Sequence, residues 1–284
     1  MDTGTNASNL TFGVEFETVI PFAAILVGRY HNGLEVDSMP GWKVEHDSSI
    51  QCPAGYESAE FVSPVLKGAD GLREVIKMIE YIKSIGGKVN PSCGFHVHVG
   101  WGEDTDGQTT AKLVKLVSYY EKGLYAATGT KSRENGSYCK SVRGSNEMCR
   151  KYRDGHPGGS NYFNRYSVLN LTNLSQRPAV EFRLFSATLN PTKAIGFICM
   201  ALGMAEEAIT LKRAPKWEPG DDAITRKGNG KAELNRLMKG IGWVKGNRAT
   251  PAGYIEAEGI PALDKVRTEM NRLAAKYDGA GEDE

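Results

Sequence analysis

No apolar stretch in the 284 residues approaches the roughly 20 needed to span a bilayer. The polar start "MDTGTNASNL" lacks the basic and apolar regions of a secretion signal, so a cytoplasmic protein is expected, with no membrane partner. Charge of one sign is also missing: 35 basic residues against 34 acidic leave a net charge of +1, which gives no global drive toward a polyanion. Tryptophan is sparse, and Trp42, Trp101, Trp217 and Trp243 are too scattered for a stacking platform, so no nucleic-acid partner is indicated. The five cysteines are odd in number, widely spaced and without a CxxC pair, which argues against both a disulfide framework and a zinc knuckle. Cys93 in particular reads as a buried thiol. No internal repeat is present.

What remains, 40% hydrophobic and 24% charged, is ordinary for a soluble globular domain. No Pro/Ser-rich linker divides it, so one large domain with decorations is expected. Strand and helix patterns alternate along the chain. "TFGVEFETVI", "GWKVEHDSSI", "YESAEFVSP" and "GKVNPSCGFHVHVG" read as strands, and "RYSVLNLTN" with "AVEFRLFSATLN" as a hairpin. Helices are predicted for "PFAAILVGRY", "GADGLREVIKMIEYIKSIGG", "GQTTAKLVKLVSYYEKGLYAAT", "NPTKAIGFICMALGMAEEAITLKRA", a short piece near "AELNRLMKG" and the terminal "IPALDKVRTEMNRLAAKY". Residues 128–163 have no clear period and carry seven Lys/Arg against three acids. A solvated surface loop and a lid over an anionic substrate both fit that composition. The expected organisation is a flexible 1–9, a domain over 10–211 containing that basic segment, and a basic, helical 212–284 with a disordered end.

The informative anomaly is charge on strands. A strand sends alternate side chains to one face, so His96 and His98 emerge together, as do Glu15 with Glu17, Glu45 with Asp47, and Glu181 with Arg183. Any one pair is what a sheet with one wet face would show. If the strands lie side by side, however, the carboxylates, imidazoles and arginines converge. Carboxylates so crowded repel one another unless divalent cations lie between them, and an oxygen-rich donor set suits magnesium or manganese. Such ions usually accompany phosphates, which points to an ATP site.

In this order, "FGVEFET", "HDSS", "AEFVSPVL", "PSCGFHVHVG", "RYSVLNL" and "AVEFRLFSATLN" resemble the amidoligase family of the glutamine synthetase-like carboxylate-amine ligase superfamily, over roughly residues 11 to 210. The resemblance implies an α+β fold, a curved, mainly antiparallel sheet with helices on its convex face, and a phage or bacterial enzyme that joins a carboxylate to an amine at the expense of ATP through an acyl phosphate. It also implies site residues. Glu17 and Glu60 would hold one metal with help from Asp47 or Glu57, and Glu15, His96 and Glu181 a second. His98, Arg165 and Arg183 would be the catalytic residues, meeting the nucleotide phosphates or the transferring phosphoryl group, and Asn170 would help bind the nucleotide. Glu57 and Glu60 are three apart and face opposite ways on a regular strand, and the motif favours Glu60. Arg133, Arg143 and Arg150 are candidates for a substrate carboxylate, small-molecule or peptide. Three other readings stand beside this one. "HVHVGWGE" has the His-x-His spacing of cupin-type metal enzymes, with Glu103 as third ligand and His156 a poor fourth. Guanidino phosphotransferases share the superfamily sheet, and a catalytically inactive binding protein could keep the fold.

Overall fold

The alternation in "TFGVEFETVIP" becomes the longest strand, β1 (Thr11–Pro21), with Phe12, Val14 and Phe16 buried on one face. The computed structural model describes residues 9–102, 105–142, 165–172, 174, 177–213, 229–244 and 251–280. Further strands are β2 (Leu34–Glu35), β3 (Lys43–Glu45), β4 (Tyr56–Val62), β5 (Leu66–Lys67), β6 (Gly94–Gly100), β7 (Leu169–Asn170) and β8 (Ala179–Ser186). They form one sheet in the order β2-β3-β4-β1-β6-β8-β7, with β5 pairing the start of β1, and every strand pair is antiparallel. β1 and β6 therefore lie at its centre. Charges on their polar face cannot escape to a sheet edge.

The described helices are α1 (Gly68–Ser84), α2 (Gly107–Thr128), α3 (Ser132–Asn135), α4 (Pro191–Thr210), α5 (Gly230–Gly240) and α6 (Leu263–Gly279). Asp106 caps α2 by accepting from the Thr109 amide, and Gly129, at φ +78°, ends it. Asn190 caps α4 ahead of Pro191. The apolar sheet face packs against these helices through a run of rings: Phe16 lies 4.7 Å from Phe95, and Phe197 of α4 stacks on Phe185 of β8 at 4.4 Å. The fold is thus α+β with a mainly antiparallel sheet. Among the described residues no helix is long and apolar enough to cross a membrane.

Two local expectations are corrected. "PFAAILVGRY" forms no helix: β1 runs through Pro21, which pairs with Tyr56, and the chain then turns with Ala23 at φ +62°. Phe22 is 64% and Leu26 83% exposed, and the residues that do pack against the core, Ile25 and Val27, are two apart, which is not the spacing of a helix face. The strand in "GWKVEHDSSI" stops at Glu45, and Asp47 belongs to the following turn, where its carboxylate accepts from the Ser49 amide. Glu45 and Asp47 therefore do not share a strand face.

Candidate active site

Register assembles the site. Glu15 stands opposite His96, Glu17 opposite Glu60, and both His98 and Asn170 opposite Glu181, all on the face away from the aromatic core. His96 is buried among three carboxylates: its Nδ1 lies 2.9 Å from Glu15 and 3.5 Å from Glu181, and its Nε2 3.3 Å from Glu17. His98 Nε2 stands 3.0 Å from Glu15. Glu181 is held from two sides, by the Asn170 amide at 2.6 Å and the Arg183 guanidinium at 2.5 Å. Glu17 accepts from the Gly94 amide at 2.5 Å.

Arg183 shares the site face with Glu181 by strand alternation, and a register shift follows it. Phe95 pairs with Phe185 but Val97 pairs with Phe182, so β8 has one residue too many opposite His96. Such a bulge breaks strict alternation in the residues after Arg183. Leu184 and Phe185 are consequently both buried, while Arg183 reaches Glu181 and the cavity.

The electrostatics are those of excess negative charge. Burial, followed by the charges of Glu15, Glu17 and Asp47, pushes the Glu60 carboxyl up to about 10. Burial would also raise Glu15, but His98 and His96 beside it hold its carboxyl well below the ordinary range. Burial would lower the His98 imidazole, and Glu15 instead brings it up to about 9. Three overlapping groups have donor atoms within 4.8 Å of one another: Glu15 with Glu60 and His96, Glu15 with His98 and Glu181, and Glu17 with Asp47 and Glu60. A carboxylate-rich donor set with an imidazole or none fits magnesium or manganese.

Of the residues expected from sequence, Glu15, Glu17, Glu60, Asp47, His96, His98, Glu181, Asn170 and Arg183 come together. His98 lies within the carboxylate groups themselves. Glu57 points elsewhere, to the Ala23 amide at 3.2 Å, as strand alternation requires. A cavity of about 600 Å³ opens beside the cluster, with Glu17, Asp47, His96, Arg133, Arg165 and Arg183 among its walls. Arg165 is exposed at its rim, over the Tyr166 ring. Arg143, Arg150, Glu103 and His156 lie outside the described residues, and the basic segment is described only to residue 142, with α3 inside it. Sequence reasoning missed Tyr30, Tyr138 and Tyr166 on the cavity wall. Nothing in their spacing marks them. Glu45, which the strand pattern places among the charged residues, is buried, and its carboxylate takes the His31 amide. Cys93 is buried as expected, and that burial raises its thiol to about 11, away from thiolate character.

An antiparallel sheet that gathers charged side chains around a polar cavity, against the cost of crowding them, has the architecture of an enzyme. The family follows: residues 8–203 match the model described as "Putative amidoligase enzyme", and the chain belongs to that family, which makes it a ligase-type enzyme. No curated protein matches the chain.

Proposed function

We propose that the protein is an ATP-dependent carboxylate-amine ligase, with the sheet curved as in glutamine synthetase and the carboxylate face as its catalytic surface. The observation that carries this reading is Glu60, a buried carboxyl pressed by its neighbours toward protonation in a place where a divalent cation would relieve all of them together. Glu17, Asp47 and Glu60 would hold one magnesium or manganese ion, and Glu15 and Glu181 with His96 or His98 a second. When bound, these ions would neutralise charge on the nucleotide phosphates and the transferring phosphoryl group.

The chain's own residues supply position. Asn170 and Arg183 fix Glu181, and the Gly94 amide fixes Glu17, so the donors need no rearrangement. Arg165, at the cavity rim, meets the phosphates. A substrate carboxylate oxygen attacks the γ-phosphorus, the bond to the leaving ADP breaks, and an acyl phosphate forms. The amine nitrogen then attacks the acyl carbon, phosphate departs with the electron pair of the breaking C–O bond, and the nitrogen's proton passes to solvent.

The test is ATP binding and phosphate release with magnesium or manganese over a pool of amino acids, polyamines and small dicarboxylates, for the wild type, Glu15→Gln and Glu17→Gln. Turnover is expected to fall by about 10²-fold or more in both variants with the fold retained, the scale of losing one preorganised electrostatic contact. Absence of nucleotide binding at any metal concentration would sink the ligase reading.

A further inference from the structure

Arg133 is a buried cation that the carboxylate cluster does not use. It lies in α3, 8% exposed, and donates from Nη2 to the Cys93 carbonyl at 2.5 Å. Its Nε is sealed from solvent without a partner, and no carboxylate pairs with it among the described residues. Arg183, by contrast, has Glu181. A guanidinium does not lose its proton at any ordinary pH, so burying it costs free energy until an anion arrives. Arg133 lines the cavity beside the cluster. Its Nη2 and Glu17 Oε2 both lie within 3.2 Å of the point where a Cβ on Gly94 would stand, so the unpaired cation borders the carboxylate group directly. Gly94 leaves that junction open.

We propose that Arg133 anchors the carboxylate of the acyl substrate beside Glu17, an assignment that rests on the ligase reading above. A carboxylate suits the place better than a phosphate. One donor of the fork is spent on the Cys93 carbonyl and the Cys139 sulfur stands beside the guanidinium, the donors that remain match a planar pair of oxygens, and a group carrying close to two charges would be repelled by Glu17 more strongly than a group carrying one.

The experiment measures thermal stability and calorimetric binding of the wild type, Arg133→Gln and Arg133→Lys with acetate, succinate and glutarate, with the matching amides, with inorganic phosphate, and separately with magnesium and ATP. At least one carboxylate is expected to stabilise the wild type while its amide does not. Arg133→Gln should bind that carboxylate about tenfold or more weakly, Arg133→Lys should fall between, and both should keep the response to magnesium and ATP. Ligand-free Arg133→Gln should be no less stable than the wild type, because an unpaired buried charge has gone. Arg133→Lys, which keeps the charge, carries the test where the Gln variant does not fold. Three outcomes overturn the assignment: no carboxylate acting on the wild type, an undiminished response in the variants, or phosphate stabilising in place of carboxylate. A wild type that binds carboxylate through Arg133 but not magnesium and ATP would remove the ligase reading and leave the anion site standing.

Discussion

Glu60 concentrates the conflict within the site, since it stands opposite Glu17 on one side and Glu45 on the other. Its carboxyl sits at about 10 in the folded chain against an ordinary 4.5, so the metal-free protein holds a proton there that the unfolded chain has released. Stability therefore falls as pH rises between those values. His98 acts in the same direction: its contribution is complete below its ordinary 6.5 and is lost as pH rises through about 9. Glu15 acts oppositely, contributing above 4.5 and losing that contribution as pH falls. The metal-free protein should thus be most stable near about pH 5 to 6 and weaken toward alkaline pH. Glu60→Gln should raise its melting temperature more at pH 8 than at pH 5 and weaken stabilisation by magnesium, leaving what the Glu15 and Glu181 position supplies. Melts in chelator and then in magnesium check both, and an unchanged alkaline decline in the variant would clear Glu60 of the effect. These residues were legible because a strand's period is two: "VEFET" and "HVHV" declare their faces without any knowledge of the fold. Arg133 was only one cation of seven in an aperiodic segment. Its burial depends on a carbonyl forty residues away, and no local pattern encodes that.

At the scale of elements, the helices with a 3.6-residue stripe and a cap or stop (α1, α2, α4 and α6) were readable nearly to their ends. The strands were readable in position but not in length, because β3 and β7 end where pairing ends, and pairing is a property of the neighbour. "PFAAILVGRY" departs from expectation for the same reason: Pro21 is held in β1 by its pairing with Tyr56, and Ile25 and Val27 reach the core from an irregular turn. Contact between helices was equally invisible. A Cβ on Gly123 in α2 would stand 2.7 Å from the Glu233 carbonyl and 3.1 Å from the Leu234 amide of α5, both backbone atoms that cannot swing aside. Helix propensity favours alanine over glycine by up to about 1 kcal/mol. Overpacking typically costs ~1–3 kcal/mol, and contact with fixed backbone belongs at the upper end, so Gly123→Ala should lose on balance, by up to about 2 kcal/mol. Urea titration should show a lower midpoint with an unchanged slope, and magnesium-ATP binding should persist. A neutral or stabilising result would mean that α5 does not sit on α2 as closely as this.

For the whole molecule, the family match ends at residue 203, inside α4, but the hydrophobic core does not end there. Leu234, Leu237 and Met238 of α5 and Val266, Met270, Leu273 and Tyr277 of α6 are buried in the same cluster as Leu124 and Ala127 of α2 and Phe197 of α4. Asp278 near the end of α6 accepts from the Gly230 and Lys231 amides, so the last helix caps the one before it. Tyr277 bonds Glu134 through its hydroxyl, and Lys131 lies over its ring at 4.2 Å, which ties α6 to the short helix that carries Arg133. What composition presents as a basic extension is, in contact, the outer layer of the core and a support for the cavity wall. A chain ending at residue 211 would expose the apolar faces of α2 and α4 and release α3, uncovering several large side chains at ~1.5–3 kcal/mol each, against a typical total stability of about 5–15 kcal/mol. The expected outcome is a truncated protein that accumulates insolubly or, if recovered, melts without a cooperative transition and is cut rapidly by protease. Soluble expression, calorimetric melting and limited proteolysis decide it. A truncated chain that melts cooperatively and keeps magnesium-ATP binding would show residues 212–284 to be an addition the catalytic sheet does without; its failure would carry the functional unit past residue 203, where the family match stops, into α5 and α6.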